Sequence, residues 1–147
     1  YMVTSHIRDS RVWATPERAM VQGVPLGRGS TDFRRVVAIL EEQAPRAFFD
    51  LDVLTGSPPR LLPYLDPSAD FWAAYLSMTA RDFARFVALA QRGRAETFAQ
   101  LVAPPGSQAP PEGKPGAALV AQQRSHTEES ARYAREELGL GARAVTL

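Results

Sequence analysis

Cysteine is absent from this 147-residue chain, which excludes disulfides, thiolate metal sites and thiol nucleophiles. The same absence suits a reducing compartment, and a cytoplasmic setting is the expectation. No apolar run approaches the roughly 18 residues that a membrane helix needs. Neither sign of charge is in excess: the formal net charge is +1, with acidic and basic residues interspersed. That leaves no electrostatic footprint for nucleic acid or for an anionic membrane surface. The partners to expect are small molecules or protein, with a homo-oligomer among them.

What is present is the material of a globular domain. Hydrophobic residues make up 45% of the chain, and the length allows one domain with a real core. Tyr1 opens inside a strand pattern, so the natural start, and any signal with it, is expected upstream.

Met2 to Ile7 is short and β-rich and runs into Arg8-Asp9-Ser10-Arg11, which reads as a strand emptying into a polar loop. The loop continues through Pro16, Gly23, Pro25, Gly27 and Gly29 to Ser30-Thr31-Asp32, any of which can cap a helix. Phe33, Val36, Val37 and Leu40 then form one apolar helical face, with Arg34, Arg35, Glu41 and Glu42 opposite and Pro45 as the stop. Ala47 to Leu54 reads as a buried parallel strand closed by Thr55-Gly56. Strand, loop, helix and strand make a βαβ unit, whose ligands gather at the carboxyl ends of its strands.

Beyond Gly56 the pattern turns helical. One helix is expected around Phe71, Trp72, Tyr75 and Leu76, and a second from a Thr79 cap through Phe83, Phe86, Val87 and Ala90 to Gly93. A shorter apolar stretch runs from Phe98 to Val102. Ala103 to Gly116 holds five prolines and three glycines and reads as a surface loop or linker. A polar helix from Ala117 to Leu138 ends at Gly139 and Gly141. The organisation is thus a β/α/β core over 1–56, a helical insertion over 57–102, a Pro/Gly-rich loop over 103–116 and a C-terminal helix over 117–141. Two strands cannot close a barrel and make a poor sheet, so partner strands are expected elsewhere.

Few residues are equipped for chemistry. His6 ends the first strand and Asp52 lies near the same end of the second, so both would face one pocket. Imidazole and carboxylate together suit a divalent ion such as Mn2+, Mg2+ or Co2+. A hydrogen-bonded structural histidine is the other reading of His6. Asp50 and Asp52 share a strand face, as a site or as an ion-pair cluster with Arg8 or Arg11. Those two arginines are solvated loop residues or grips for a carboxylate or phosphate. Gly27-Arg28-Gly29 lacks a full glycine-rich fingerprint and reads as turn chemistry, and the aromatic residues between Phe71 and Phe86 read as packing. His126 receives no role.

The run Ser5-His6-Ile7-Arg8-Asp9-Ser10-Arg11 resembles the "His, apolar, Lys or Arg, Asp" signature after the seventh strand of xylose-isomerase-like sugar phosphate isomerases and epimerases. Val24 to Gly29 followed by Asp32-Phe33 is similar to that family's next loop and helix start. Leu51 to Gly56 is similar to its eighth strand, and Arg132-Tyr133-Ala134-Arg135 to Leu138-Gly139 to its final helix. The resemblance implies an α/β fold: the last two strands and helices of a (β/α)8 TIM barrel, with a helical insertion after the last strand. It also implies one divalent metal, held by two carboxylates, a histidine matched by His6 and a last carboxylate matched by Asp52. Arg11 would match a substrate-gripping arginine. The family's last ligand is usually Glu, and Asp52 is one methylene shorter.

The implied reaction passes through a cis-enediolate, with a carboxylate moving the proton of the carbon beside a sugar carbonyl. Isomerisation, epimerisation or, with loss of a hydroxyl, dehydration follows. A three-zinc endonuclease of the same barrel superfamily is disfavoured by two histidines and a net charge of +1. A non-catalytic assembly module, pairing through open strand edges, is the reading from another class.

Overall fold

The computed structural model describes residues 4–16, 18–67, 70–95, 102 and 116–141. Five strands, two short sheets and three α-helices appear among them. The strands are β1 (Thr4–Ile7), β2 (Asp9–Ala14), β3 (Ala19–Val24), β4 (Phe48–Leu51) and β5 (Arg60–Leu62). The helices are α1 (Phe33–Gln43), α2 (Ala80–Arg92) and α3 (Ala117–Glu136), with a 3-10 turn at Asp70–Tyr75.

The class is mixed α/β. β1 and β4 pair in parallel with α1 between them in the chain, while β2, β3 and β5 form an antiparallel sheet in the order β2-β3-β5. Among the described residues both sheets are open and no barrel is closed. The stretch read from sequence as a loop after Ile7 is in fact a hairpin: β2 and β3 pair from Asp9↔Val24 to Ala14↔Ala19. Its strand signal is muted because Arg11, Gln22 and Gly23 interrupt the apolar alternation and Pro16 stands in the turn. The region after Gly56 is not purely helical either, since β5 joins the hairpin through Ala19↔Leu62 to Val21↔Arg60. The segment around Phe71 winds as a 3-10 turn, and Leu76 just beyond it is 90% exposed. The expected features from Phe98 to Leu101 and from Ala103 to Pro115 lie outside the described residues.

Capping chemistry sets the helix starts. The Asp32 carboxylate accepts from Arg35 N at 3.1 Å, and the Thr79 hydroxyl accepts from Asp82 N at 3.2 Å. α1 buries Phe33 and Val37, as its apolar spacing predicts. α2 stops at Gly93, whose N–H returns to Leu89 O and Ala90 O.

Two apolar cores result. The first gathers Ile7, Leu26 and Phe33, with Val36, Phe49, Leu51, Tyr133, Ala134 and Leu138 around them. The second gathers Ala19, Tyr64 and Ala90, with Trp72, Phe83 and Phe86 among its flanking residues. The hairpin joins the two: its open end leads through Val24 into Leu26 of the first core, and Ala14 and Ala19 at its turn enter the second.

Candidate functional site

Side chains alternate along a strand, so Thr4 and His6 share one face of β1 while Ser5 and Ile7 take the other. In the parallel register Thr4 stands beside Phe48 and His6 beside Asp50. The Thr4 hydroxyl donates to the Asp50 carboxylate, which fixes these positions on one side of the sheet. Just past both strands, Asp52 N donates to Ile7 O at 3.1 Å, and Arg8 Nη1 meets Asp52 Oδ2 at 3.4 Å. One face therefore carries Thr4, His6 and Asp50, with the Arg8–Asp52 pair at its carboxyl end. The opposite face, Ile7, Phe49 and Leu51, is packed into the first core.

The polar face is open to solvent. Thr4, His6, Arg8 and Asp50 are exposed and Asp52 is half-buried. Phe48 lies on the same face 71% exposed, so β4 is not the fully buried strand that its apolar sequence implies. The Arg8 and Asp52 side chains are 51% and 33% exposed; water screens such a pair to about 0–1 kcal/mol, and its value is orientation rather than stability.

Arg11 has different surroundings. Its Nε donates to Arg28 O at 3.0 Å and its Nη2 to the same oxygen, so the guanidinium is tied to the loop after β3. It lines a cleft with Arg92 and Arg94. The two arginines grouped together from sequence thus belong to different parts of the molecule: Arg8 to the sheet face, Arg11 to the loop.

Asp9 is the residue that sequence reading undervalued. It is 1% exposed, and its carboxylate accepts from Ser10 N at 2.9 Å, Gly27 N at 3.0 Å and Gly29 N at 2.8 Å. Burial raises its pKa above the ordinary carboxylate value, against the pull of backbone donors at Gly29, Gly27, Ser10 and Thr31. A Cβ on Gly29 would lie 1.9 Å from Asp9 Oδ1, so the loop closes on the carboxylate only because that residue is glycine. Gly27 is at φ 87°, where a Cβ would also strike the Tyr133 ring. The available signal was the spacing of an acid from a later Gly-x-Gly.

α3 clamps the other side of this loop and the end of β4. Ser130 Oγ accepts from Leu26 N at 3.0 Å and donates to His126 O at 2.7 Å, and Arg28 pairs with Glu129. Gln123 Nε2 donates to Val53 O at 3.2 Å, and Gln122 Nε2 to Thr55 Oγ1 at 2.6 Å. α3 thereby holds the backbone just past Asp52 as well as the loop after β3.

Among the described residues no group of three or more His, Asp or Glu side chains stands close enough to hold a metal. The donor types at His6 and Asp52 fit a divalent cation, but a hard ion takes roughly six ligands. Set against family models, curated proteins and solved structures, the chain matches none. The functional reading therefore rests on the geometry of the sheet and on its motif.

Proposed function

We propose that this chain acts as part of a metal-dependent sugar or sugar phosphate isomerase or epimerase, with β1 and β4 as the last two strands of a xylose-isomerase-like (β/α)8 barrel. The observation that carries the reading is the two-faced parallel pair. One face is apolar and packed with residues of α1 and α3, and the other presents His6, Asp50 and Asp52. In such a barrel the helices pack on the outer face and the site lies at the carboxyl ends of the strands, which is where Arg8 and Asp52 stand. Among the described residues each of the two strands has a single neighbour, and the open edges are where strands bearing the remaining carboxylate ligands would pair.

His6 and Asp52 are the residues that would hold a divalent metal, Mn2+, Mg2+ or Co2+. Such an ion, when bound, supplies polarisation of a sugar carbonyl. The Asp52 carboxylate then takes the proton from the carbon beside the carbonyl, leaving a cis-enediolate, and returns it to the neighbouring carbon or to the other face of the same carbon. Arg8 orients that carboxylate and offers its remaining donors to a substrate oxygen. Loss of a hydroxyl from the enediolate would make the reaction a dehydration. A cytoplasmic setting accords with this chemistry; among the described residues no helix is long and apolar enough to cross a membrane.

A second reading draws on the same open edges and on exposed Phe48: a non-catalytic module that pairs with another copy. Calorimetric titration of Mn2+ into the chain and into His6→Ala, after size-exclusion chromatography, separates the two. Saturable binding that disappears in the variant supports the enzyme reading. A dimer without metal affinity, or binding indifferent to His6, supports the other.

A further inference from the structure

We propose that Gln123 of α3 is a positioning residue for Asp52, which aims the Asp52 carboxylate by holding the carbonyl of Val53; its part in the chemistry rests on the reading of Asp52 as metal ligand and base. Asp52 lies one residue beyond the last paired position, Ile7↔Leu51, so the strand register alone does not hold it. Its N–H donates to Ile7 O at 3.1 Å, which fixes the peptide on the N-terminal side. On the C-terminal side the fixing comes from α3, where Gln123 Nε2 donates to Val53 O at 3.2 Å. The direction of a Cα–Cβ bond follows from the backbone on both sides of it, and hydrogen bonds set distance and angle for that backbone. These two bonds together therefore aim the Asp52 side chain. The contact with Arg8 does not do so alone, because a pair with side chains 51% and 33% exposed is screened by water.

The hold is built at several points. Gln123 Nε2 also donates to Thr127 Oγ1 at 3.4 Å, and the Thr127 hydroxyl donates to Gln123 O at 2.8 Å. The two amide hydrogens thus have two acceptors, and the side chain is oriented from within its own helix. Gln122 Nε2 donates to Thr55 Oγ1 at 2.6 Å. At Gly56, with φ 79°, a Cβ would stand 3.0 Å from Leu119 Cδ1, so the chain leaving Asp52 runs close under the first two turns of α3. The donor on Val53 is also neutral: it fixes the peptide and adds no charge beside the Arg8–Asp52 pair. Misplacement of a reacting group by about 1 Å is costly to catalysis, and the placing of Asp52 falls here to a helix outside the sheet.

The test compares Gln123→Met, which keeps the length of the side chain and loses the donor, with Ser130→Ala, which loosens α3 at Leu26 N and leaves Gln123 in place. Circular dichroism certifies that both variants fold. Two measurements need no metal: the nuclear Overhauser contact between the Arg8 guanidinium and the Asp52 β-hydrogens, and hydrogen exchange at the Asp52 amide. In Gln123→Met the contact should weaken and the amide should exchange about tenfold faster, as loss of one hydrogen bond predicts, while Ser130→Ala leaves both at the wild-type value. Mn2+ affinity by calorimetry should fall about tenfold in Gln123→Met, the lower end of what losing a supporting contact costs a metal site, and stay unchanged in Ser130→Ala. In an Asp52→Asn background the Gln123 substitution should lower Mn2+ affinity no further. A wild-type chain that binds no Mn2+ removes the metal reading and leaves the two metal-free measurements to decide the role of Gln123. The proposal is overturned if Gln123→Met leaves the Asp52 contact and amide unchanged, if Ser130→Ala moves them equally, or if Mn2+ binds both the wild type and Gln123→Met with one affinity.

Discussion

The two halves of the molecule are held together by different physics. Around β1, β4, α1 and α3 the apolar core is small, and much of the fixing is polar: Asp9 under the Gly27–Gly29 loop, Ser130 on Leu26, Gln123 on Val53. Around β5 and α2 the fixing is aromatic, with Tyr64 edge-on to Phe83 and Phe86 at ring distances of 5.8 and 5.5 Å and Trp72 edge-on to Phe83 at 5.3 Å. Apolar burial is non-directional, whereas hydrogen bonds set both distance and angle for the backbone they hold. The polar half is the one that carries His6, Arg8 and Asp52, as expected if placement matters more there than bulk stability.

Removing the centre of the aromatic half should perturb one core and spare the other. Tyr64 is 6% exposed, and Tyr64→Ala is expected to cost about 4 kcal/mol, as large aromatic truncations do. Hydrogen exchange should then accelerate in α2 while α3 stays protected. Equal loss of protection in α3 would mean that the two cores unfold as one unit.

The corresponding cut in the polar half is Asp9→Ala, which leaves the N–H groups of Ser10, Gly27 and Gly29 without their acceptor. Buried donors stripped of partners cost about 1–3 kcal/mol each, and partial access of water should bring the total to about 3 kcal/mol in urea denaturation. Asp9→Asn keeps one acceptor oxygen and is expected to lose less. Ser130→Ala should cost about 2 kcal/mol by orphaning Leu26 N, with exchange rising first at the amides of 25–29.

How much of this was legible in the sequence follows from how far apart the partners are. α1 and α2 were legible because their signals are local: an Asp32 or Thr79 cap, an apolar face, a Pro45 or Gly93 stop. The β1 and β4 pairing was legible as a βαβ unit for the same reason. The hairpin was not, since Arg11, Gln22 and Gly23 interrupt the apolar alternation and burial does not alternate along β3 either, where Ala19, Gln22 and Val24 are the buried residues. The Asp9 cradle joins a side chain to backbone 18 and 20 residues away, and Ser130 reaches Leu26 across 104; a backbone donor leaves no mark in residue type. The placing of His6 and Asp52 on one sheet face could be read from the βαβ pattern, but the parting of Arg11 from Arg8 required the hairpin, which turns Arg11 to the loop.

Acid should perturb the polar half more gently than any of these substitutions. His126 sits in α3 at 6% exposure, and its Nδ1 is buried without a hydrogen-bond partner among the described residues. Burial chiefly lowers its pKa below the ordinary 6.5, Arg28 adds to the lowering, and Glu129 opposes both. Because the folded state resists a proton that the unfolded chain accepts, this contribution to stability is complete above pH 6.5 and is lost as pH falls below it. Asp9 runs the other way: its raised pKa makes the folded state the better proton binder, so its contribution is present at low pH and declines as pH rises from 3.8 through the folded value. Urea midpoints measured about a unit above and about a unit below pH 6.5 should therefore fall on acidification in the wild type, and His126→Gln should flatten that step. The loss should register as faster exchange in α3 and the 25–29 loop, with α2 unaffected, because the groups that move His126 all belong to the polar half. A step that survives His126→Gln would assign the acid sensitivity to carboxylates and remove His126 from the clamp.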